Sequence, residues 1–293
     1  MAERVTLASG HSGRTNREVR MDNLSGKVAL ITGAGSGIGR GIALACADEG
    51  MHVILADVQE GTAQAVAAEV EAREVQALPV DIDVTDTVAY EWLAEQIYAE
   101  FGELNLLVNN AGVLTGGIVS EASQADWDWT FSVNLYGIVN GVHTFLPRMR
   151  AQDGDAHIVN TVSMAGLRLN EVIPLGVYSA SKHAAFAYSE SLRAELAAEG
   201  IGVSALCPGG VDTLIGEAGR NRPDQYGGAT EGAARGFSPG AMSQQMDPED
   251  VGRIVITGIK ANRWLIFSHP ELRPHVERRY QRIMDDFEFF ANA

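Results

Sequence analysis

The sequence has few cysteines, no long apolar run and few basic residues, and each shortage excludes a class of protein. Two cysteines in 293 residues are too few for a disulfide framework or a zinc site, so we expect Cys46 and Cys207 to be reduced, with Cys46 a small core residue. No apolar stretch reaches the roughly 18 residues that cross a bilayer, and the first twenty residues lack the apolar middle of a secretory signal. We therefore expect a cytoplasmic protein with no membrane partner.

The charge balance excludes a further class. Lys and Arg total 22 against 38 Asp and Glu, which gives a formal net charge of −16. That charge repels a phosphate backbone, and no dense Lys/Arg stripe offsets it locally, so we expect no nucleic-acid partner. Hydrophobic residues make up 46% of the chain, which is enough for one sizeable core and predicts a single α/β domain.

The hydrophobic pattern predicts the fold class. Residues 1–23 lack periodicity and are predicted to form a flexible N-terminal leader, with one domain over 24–293. From Lys27 onward, short apolar runs alternate with helical periods, which is typical of repeated β-α units around a parallel sheet. The pattern predicts a doubly wound seven-stranded parallel sheet in three αβα layers, with the ligand crevice at the carboxyl ends of the strands. The seven predicted strands are 28–32, 53–56, 77–80, 104–108, 158–162, 203–206 and 264–267.

Two later segments stand apart from this rhythm. Residues 212–247 are rich in glycine and are predicted to be a substrate lid or a disordered insertion. Residues 271–290 are predicted to form a C-terminal helix with one apolar stripe opposite Arg, Glu and Asp. This helix would cover the substrate pocket, join a subunit contact or pack on its own domain, and packing is the default interpretation. The stripe consists of Leu272, Val276, Tyr280, Ile283, Phe287 and Phe290.

A glycine-rich turn follows the first predicted strand. Residues 32–39 read TGAGSGIG, in which Gly33 turns tightly, Gly37 lets the backbone approach a pyrophosphate and Gly39 permits close helix packing. A glycine-rich turn before a helix is often only a turn. However, Asp57 ends the next strand at the separation where an acidic residue meets the adenosine ribose, where it would repel a 2′-phosphate. The pair of features favours NAD over NADP, although a strand-end acid is also common at such a position.

Tyr178 and Lys182 stand in the sequence YSASK at the start of a strongly helical run. Their i, i+4 spacing places both side chains on one helix face. An ammonium next to a phenol stabilises the phenolate and lowers the phenol pKa from about 10, so the pair would exchange a proton with an alcohol. For an isolated YxxxK the ordinary interpretation is an exposed Tyr/Lys pair.

These motifs occur together, and from Leu24 onward the chain resembles the short-chain dehydrogenase/reductase family. The motifs follow the family's order: TGAGSGIG, Asp83-Val84, NNAG at 109–112, Asn134, Ser163, YSASK and PGGVDT at 208–213. The resemblance implies a Rossmann-like fold and an oxidoreductase that interconverts a secondary alcohol and a ketone. Nothing at these positions suggests a metal.

The resemblance also implies a role for each motif residue. Tyr178 would be the general acid/base, Lys182 would lower its pKa and hold the nicotinamide ribose, Ser163 would polarise the substrate oxygen, and Asn134 would kink its helix and hold a water. Cofactor contacts would come from Gly33, Ser36, Gly37, Ile38 and Gly39 at the pyrophosphate, Asp57 at the ribose, Asp83 and Val84 at the adenine, Asn110, Ala111 and Gly112 beside the cofactor, Pro208, Gly209, Val211 and Thr213 near the nicotinamide, and Tyr178 and Lys182.

One departure from the family concerns spacing. Ser163 precedes Tyr178 by two residues more than the family usually shows. We expect the loop 167–175 to bulge so that both side chains reach one substrate oxygen, with Gly176 helping it to turn. As a further possibility, Ser163 would be a mere loop hydroxyl.

The predicted substrate wall is mainly apolar and favours a bulky, uncharged alcohol. Its members are Val113, Leu114, Leu167, Leu169, Val172, Ile173 and the lid. Two charged stretches, in the lid and near the C-terminus, resemble a bacterial subset of the family that includes dehydrogenases of benzylic alcohols in lignin-type aryl ethers. The family is commonly dimeric or tetrameric, so we expect a homo-oligomer, with a homotetramer favoured over a dimer. A carbonyl reductase working in the reductive direction and a non-catalytic NAD(H)-sensing protein remain the alternatives.

Overall fold

Seven parallel strands form the centre of the fold, in a computed structural model that describes residues 21–168, 174–232, 234–235 and 245–293. The strands pair in the order β3-β2-β1-β4-β5-β6-β7. They are β1 (Val28–Thr32), β2 (His52–Asp57), β3 (Ala77–Asp81), β4 (Leu106–Asn109), β5 (Ala156–Thr161), β6 (Ile201–Cys207) and β7 (Leu265–Phe267). The predicted fold class, a doubly wound parallel sheet in a single domain, is confirmed, and every strand lies within two residues of its predicted bounds.

Helices cover both faces of the sheet. Among the described residues the α-helices are α1 (Gly37–Asp48), α2 (Thr62–Glu71), α3 (Thr87–Glu100), α4 (Gln124–Phe131), α5 (Gly137–Ala151), α6 (Gly176–Leu196), α7 (Pro248–Lys260) and α8 (Arg273–Ala291). Alternate residues of β1 belong to different core clusters: Val28 and Leu30 pack with α3, α5 and α6, whereas Ala29 and Ile31 pack with α1, α2 and α7. Because successive side chains of a strand point to opposite faces, the two clusters are the two outer layers meeting the sheet.

Apolar side chains near the start of the described chain are buried in the core. Met21 and Leu24 are 2% and 1% exposed and pack in the core beside α1. Met21, which belongs to the predicted leader 1–23, is therefore packed against the domain. Residues 1–20 lie outside the described residues. No helix in the described ranges is both long and apolar enough to cross a membrane.

The last helix is only partly attached to the domain. At its start, Leu272 and Val276 pack against the core, so intramolecular packing accounts for this half. Farther along, the apolar stripe is exposed, with Tyr280 at 49% and Phe287 at 67%. The structure thus brings the first part of α8 onto the carboxyl edge of the sheet, where the site lies.

Candidate active site

One cavity of about 940 Å³ opens at the carboxyl ends of the strands. The strand order reverses between β1 and β4, which is where a doubly wound sheet forms its ligand crevice. Every site residue predicted from the sequence lines this cavity except Gly39 and Asn134. Those two lie directly behind the wall, since a side chain at Gly39 would meet the carbonyl of Gly33 and the Asn134 amide holds the backbone of Val113.

The turn after β1 has the shape that a pyrophosphate requires. Gly33 and Gly37 adopt positive φ angles of 65° and 51°, which favour glycine. Helix α1 begins at Gly37, and its extended N-cap, Ser36, forms no side-chain capping hydrogen bond. The first N–H groups of α1 therefore point toward the cavity without a side-chain acceptor, and a helix N-terminus of this kind suits a phosphate anion. A side chain at Gly37 would come within 2.9 Å of Thr213, so glycine keeps this approach open.

Asp57 ends β2 and lines the cavity, where the sequence predicts the adenosine ribose. One carboxylate oxygen accepts from the N–H of Gly35 at 2.9 Å, and the other accepts from the N–H of Gln59 at 2.9 Å. These bonds fix the carboxylate beside the glycine-rich turn while it still lines the cavity. A fixed carboxylate at this point can accept from ribose hydroxyls and disfavours an added phosphate.

The loop after β3 holds Asp83 and Val84, the two residues predicted to meet the adenine. Asp83 accepts from the N–H of Thr85 at 2.9 Å, and the Val84 carbonyl accepts from the Asn140 amide at 3.0 Å. Both Asp83 and Val84 line the cavity, so the loop is rigid where a base would pack.

Asn110 links the end of β1, where the glycine-rich turn begins, to the end of β5. Its amide nitrogen donates to the Thr32 carbonyl at 3.0 Å, and its amide oxygen accepts from the Thr161 hydroxyl at 3.2 Å. The Thr32 hydroxyl in turn accepts from the backbone N–H groups of Asn110 and Ala111, each at 3.0 Å. The sequence analysis gave Thr32 no role, although its place at the head of TGAGSGIG marks it as the last residue of β1.

Tyr178 and Ser163 meet despite their unusual spacing. Both line the cavity, and the Ser163 hydroxyl hydrogen-bonds to Tyr178, so a single substrate oxygen can reach both groups. Most of the intervening loop, residues 169–173, lies outside the described residues. Gly176 does not turn the chain as expected; it begins α6, and a side chain there would come within 2.5 Å of Val119. Its contribution is a close contact rather than a special backbone angle.

The pKa of Tyr178 moves in the opposite direction from the expectation. Burial raises the pKa of its hydroxyl, and the hydrogen bond with Ser163 only opposes that rise. The Lys182 ammonium does not hydrogen-bond the Tyr178 hydroxyl directly; it donates to the Thr161 carbonyl at 2.9 Å and lies 5.8 Å from the Tyr178 ring centre. Burial also lowers the pKa of Lys182 to about 8, which leaves the amine mainly cationic at pH 7.

Asn134 lies where a helix departs from regular geometry. Residues Ser132–Tyr136 form a π-helical segment between α4 and α5, a bulge that is frequent at functional sites. The Asn134 side chain accepts from the Val113 N–H at 2.8 Å and donates to the Val113 carbonyl at 2.9 Å and the Ser181 hydroxyl at 3.0 Å. The amide thus fastens the loop after β4 to α6, beside Lys182.

The loop after β6 holds the residues predicted to lie near the nicotinamide. Pro208, Gly209, Val211 and Thr213 all line the cavity. His269 packs so closely on Gly209 that a side chain at Gly209 would come within 2.6 Å of the imidazole. The sequence analysis missed His269, because a lone histidine after a strand carries no motif.

The predicted lid contributes to the cavity in its described part. Two 3-10 helices, Leu214–Asn221 and Asp224–Tyr226, follow Thr213. Arg222 fastens the lid to α4 by an ion pair with Asp126 at 2.7 Å, and its guanidinium lies 5.3 Å from the Trp129 ring centre. This pair was missed by the sequence analysis, because nothing in the chain marks two residues 96 positions apart as neighbours.

The substrate wall differs from the expectation in two ways. Val113 and Leu114 line it as predicted, but Leu167 belongs to the core, where it is 4% exposed. Leu169, Val172 and Ile173 lie outside the described residues. The wall also holds arginines from α8 and from the loop after Ser163 that the expectation of a mainly apolar surface did not include.

The comparisons with known proteins agree with this geometry. The profile of the family described as short chain dehydrogenase matches residues 27–223. The C alpha-dehydrogenase of Sphingobium sp. (strain NBRC 103272 / SYK-6) is 35% identical over 269 residues, which cover 90% of this chain and 88% of that protein. It supports the predicted closer resemblance.

Two solved structures show the same fold with a bound cofactor. A short chain dehydrogenase/reductase from Burkholderia phymatum in complex with NAD is 37% identical, with a TM-score of 0.85 over 91% of this chain and 97% of that one. A short chain dehydrogenase from Burkholderia cenocepacia J2315 in complex with NADP is 27% identical, with a TM-score of 0.70 over 84% and 97%. The chain therefore belongs to the short-chain dehydrogenase family and is an oxidoreductase that acts on CH–OH groups.

Proposed function

We propose that this protein interconverts a bulky secondary alcohol and its ketone, with NAD as the hydride carrier and Tyr178 as the acid/base. The observation that carries the proposal is the grouping of Tyr178, Ser163 and Lys182 in the cavity that the glycine-rich turn also lines. This grouping sets a proton-transfer group and an oxygen-binding hydroxyl beside a turn suited to a dinucleotide.

In the reductive direction, the residues act on a carbonyl oxygen. NADH, which the glycine-rich turn and Asp57 would hold, would supply the hydride for the carbonyl carbon. Ser163 donates a hydrogen bond to the oxygen, which stabilises the developing alkoxide. Tyr178, which is protonated at neutral pH because burial raises its pKa, gives its proton to the same oxygen.

In the oxidative direction, Tyr178 must first lose its proton. Burial disfavours the phenolate, so the base form becomes available as the pH rises. The raised pKa of Tyr178 is the one observation that favours the carbonyl-reductase alternative at neutral pH. Lys182 and Asn134, both almost fully buried, hold the surrounding backbone and serve as positioning residues in this proposal.

The cofactor choice rests on Asp57. Its carboxylate is held by two backbone N–H groups at the adenosine end, so it cannot swing away from a 2′-phosphate without losing both bonds. A 2′-phosphate beside the Asp57 carboxylate would meet a like charge, and this repulsion disfavours NADP. The related structures include complexes with either cofactor, and the fixed carboxylate supports NAD.

The substrate class rests on the walls near Ser163. Val113, Leu114, Trp129 and Tyr226 supply apolar and aromatic surface, which suits a bulky or aromatic body. The similarity to the C alpha-dehydrogenase supports the same class.

The proposal is tested with a panel of secondary alcohols, including aliphatic, alicyclic, steroidal and aryl compounds, each mixed with NAD. NADH formation is followed by absorbance, and the corresponding ketones are tested with NADH. Turnover of at least one bulky member supports the proposal. Tight NADH binding with no turnover of any alcohol or ketone would instead support the NAD(H)-sensing alternative. A homo-oligomeric assembly, tetramer or dimer, and a cytoplasmic location stay predictions.

A further inference from the structure

The charges that line the cavity oppose the charge of the whole chain. Although the chain carries −16, the acidic residues lining the cavity within the described ranges are only Asp57, Asp83 and Glu271. The basic residues lining it are Arg168, Lys182, Arg220, Arg278, Arg279 and Arg282. An acidic protein that gathers arginines in one cleft creates a local attraction for anions.

Four of these arginines lie at the substrate end rather than the nucleotide end. Asp57 is the last residue of β2. Arg168 lies five residues beyond Ser163, after β5, and the other three arginines belong to α8, after β7. Five strand spacings of about 4.8 Å place the ends of β2 and β7 roughly 24 Å apart. The turn after β1 lies four spacings, roughly 19 Å, from the end of β7, so it is remote from the three arginines of α8. Arg168 follows β5, which is two spacings from β1.

Arg168 is held in the wall without a hydrogen-bond partner on one atom. Its Nε is buried and has no acceptor among the described residues. Burial lowers the Arg168 pKa, and the positive charge of Arg278 lowers it further. A guanidinium that is both partly buried and near a like charge costs free energy unless an anion joins it.

Helix α8 is fixed on the catalytic side of the cavity. Arg279 donates to the Leu167 carbonyl at 2.7 Å and to His183 Nε2 at 2.6 Å. His183 directly follows Lys182 and accepts this bond as a neutral imidazole, because its other nitrogen lies 2.8 Å from the Ser179 carbonyl and donates to it. The contact holds one turn of α8 against the active-site loop. Arg278 on that turn lines the cavity, is near enough to lower the Arg168 pKa, and hydrogen-bonds to His275 Nδ1 at 2.7 Å.

We infer that the substrate carries a carboxylate, which Arg168 and Arg278 bind while its apolar body lies between the arginines and Ser163. Guanidinium groups bind carboxylates through paired N–H donors, which gives both attraction and orientation. The inference rests on the proposed function and narrows its substrate from a bulky alcohol to a hydroxy or keto acid. It replaces the expectation of an uncharged substrate.

The test compares each acid with its methyl ester. The panel contains 4-hydroxypentanoate, 4-(1-hydroxyethyl)benzoate and 12-hydroxyoctadecanoate, which span a range of distances between the hydroxyl and the carboxylate. For at least one length, we expect kcat/KM with NAD to be about tenfold or more higher for the acid. That preference, taken as the ratio of kcat/KM for the acid to kcat/KM for its ester in the same variant, should fall by about tenfold in Arg278→Gln and in Arg168→Gln.

Arg273→Gln is the matched control, because Arg273 lies on the same helix, is 80% exposed and pairs with Glu277 outside the cavity. A second arm needs no turnover: calorimetry measures binding of 4-acetylbenzoate, its methyl ester and 12-oxooctadecanoate to the enzyme with NAD, a pair in which no hydride can be transferred. Esters that react as well as every acid would overturn the inference and leave the proposed function standing. If no compound reacts, the proposed function fails, and the binding arm alone decides whether carboxylates are preferred. A preference unchanged in both arginine variants would also overturn the inference.

Discussion

The Lys182 ammonium donates to the Thr161 carbonyl at 2.9 Å rather than to a side chain. Because Lys182 is 2% exposed, this bond holds a buried cation against the end of β5. Tyr178 is left with burial as the main influence on its pKa, which rises. The direction of that shift leads to a pH dependence for each direction of the reaction.

Alcohol oxidation should speed up as the pH rises, because the reactive form of Tyr178 is the phenolate and its pKa lies above the ordinary value of 10. Between pH 6 and pH 7.5, where Lys182, whose pKa burial lowers to about 8, stays mainly cationic, we expect kcat/KM for oxidation to rise by about tenfold per unit. Ketone reduction uses the protonated phenol and should change little over the same range. Initial rates at constant ionic strength provide the measurement, and an oxidation rate independent of pH would contradict the assignment.

Replacing Tyr178 with Phe removes the proton-transfer group and keeps the ring. We expect kcat/KM to fall by about 100- to 10,000-fold in both directions, while NADH affinity, measured by fluorescence, changes little. Tyr188→Phe is the control, since Tyr188 lies on the same helix but outside the cavity. An active Tyr178→Phe variant would eliminate the proposed mechanism.

Cofactor selectivity should depend on Asp57. In Asp57→Ala the repulsion of a 2′-phosphate disappears together with the bonds to Gly35 and Gln59. The ratio of kcat/KM for NAD to that for NADP should therefore fall by about tenfold or more. Asp81→Ala serves as the control, because Asp81 pairs with Asp57 in the strand register but does not line the active-site cavity. If the ratio stays the same in Asp57→Ala, another group selects the cofactor.

The lid should loosen when its ion pair is broken. Arg222 and Asp126 are 13% and 7% exposed, so Arg222→Gln leaves a buried carboxylate unpaired and should lower the free energy of unfolding by about 3 kcal/mol. Arg253→Gln breaks an exposed pair with Asp250 and should cost less than about 1 kcal/mol. Denaturant unfolding measures both. Equal losses in the two variants would mean that the lid contact contributes no more than a surface pair.

The inner strands were predictable because they are buried on both faces, and continuous apolar runs record that burial directly. The edge strands β3 and β7 are only partly buried. The observed strand bounds differ from the predicted ones where backbone hydrogen-bond pairing, rather than burial, ends a strand. Leu104 is completely buried but precedes β4, since the neighbouring Asn105 uses its side chain to bind the Val28 N–H at 2.8 Å. Side-chain pairing of this kind has no signature in hydropathy.

The nucleotide and catalytic motifs were predictable because their chemistry fixes residue types at short spacings. The group of arginines that lines the cavity near α8 could not be predicted from the sequence. In the sequence, Arg278 and Arg282 appear on the polar side of an amphipathic helix, which normally faces water. Only the docking of α8 through Arg279 onto Leu167 and His183 turns that side toward the cavity, and this contact joins residues 96 or more positions apart.

The bridging amide of Asn110 has a mechanical consequence. A single side chain ties the end of β1 to the end of β5, so the turn proposed to bind the nucleotide and the strand that leads to Ser163 cannot move independently. Damage at this one joint would weaken cofactor affinity and slow the chemistry together, even though Asn110 itself transfers neither hydride nor proton.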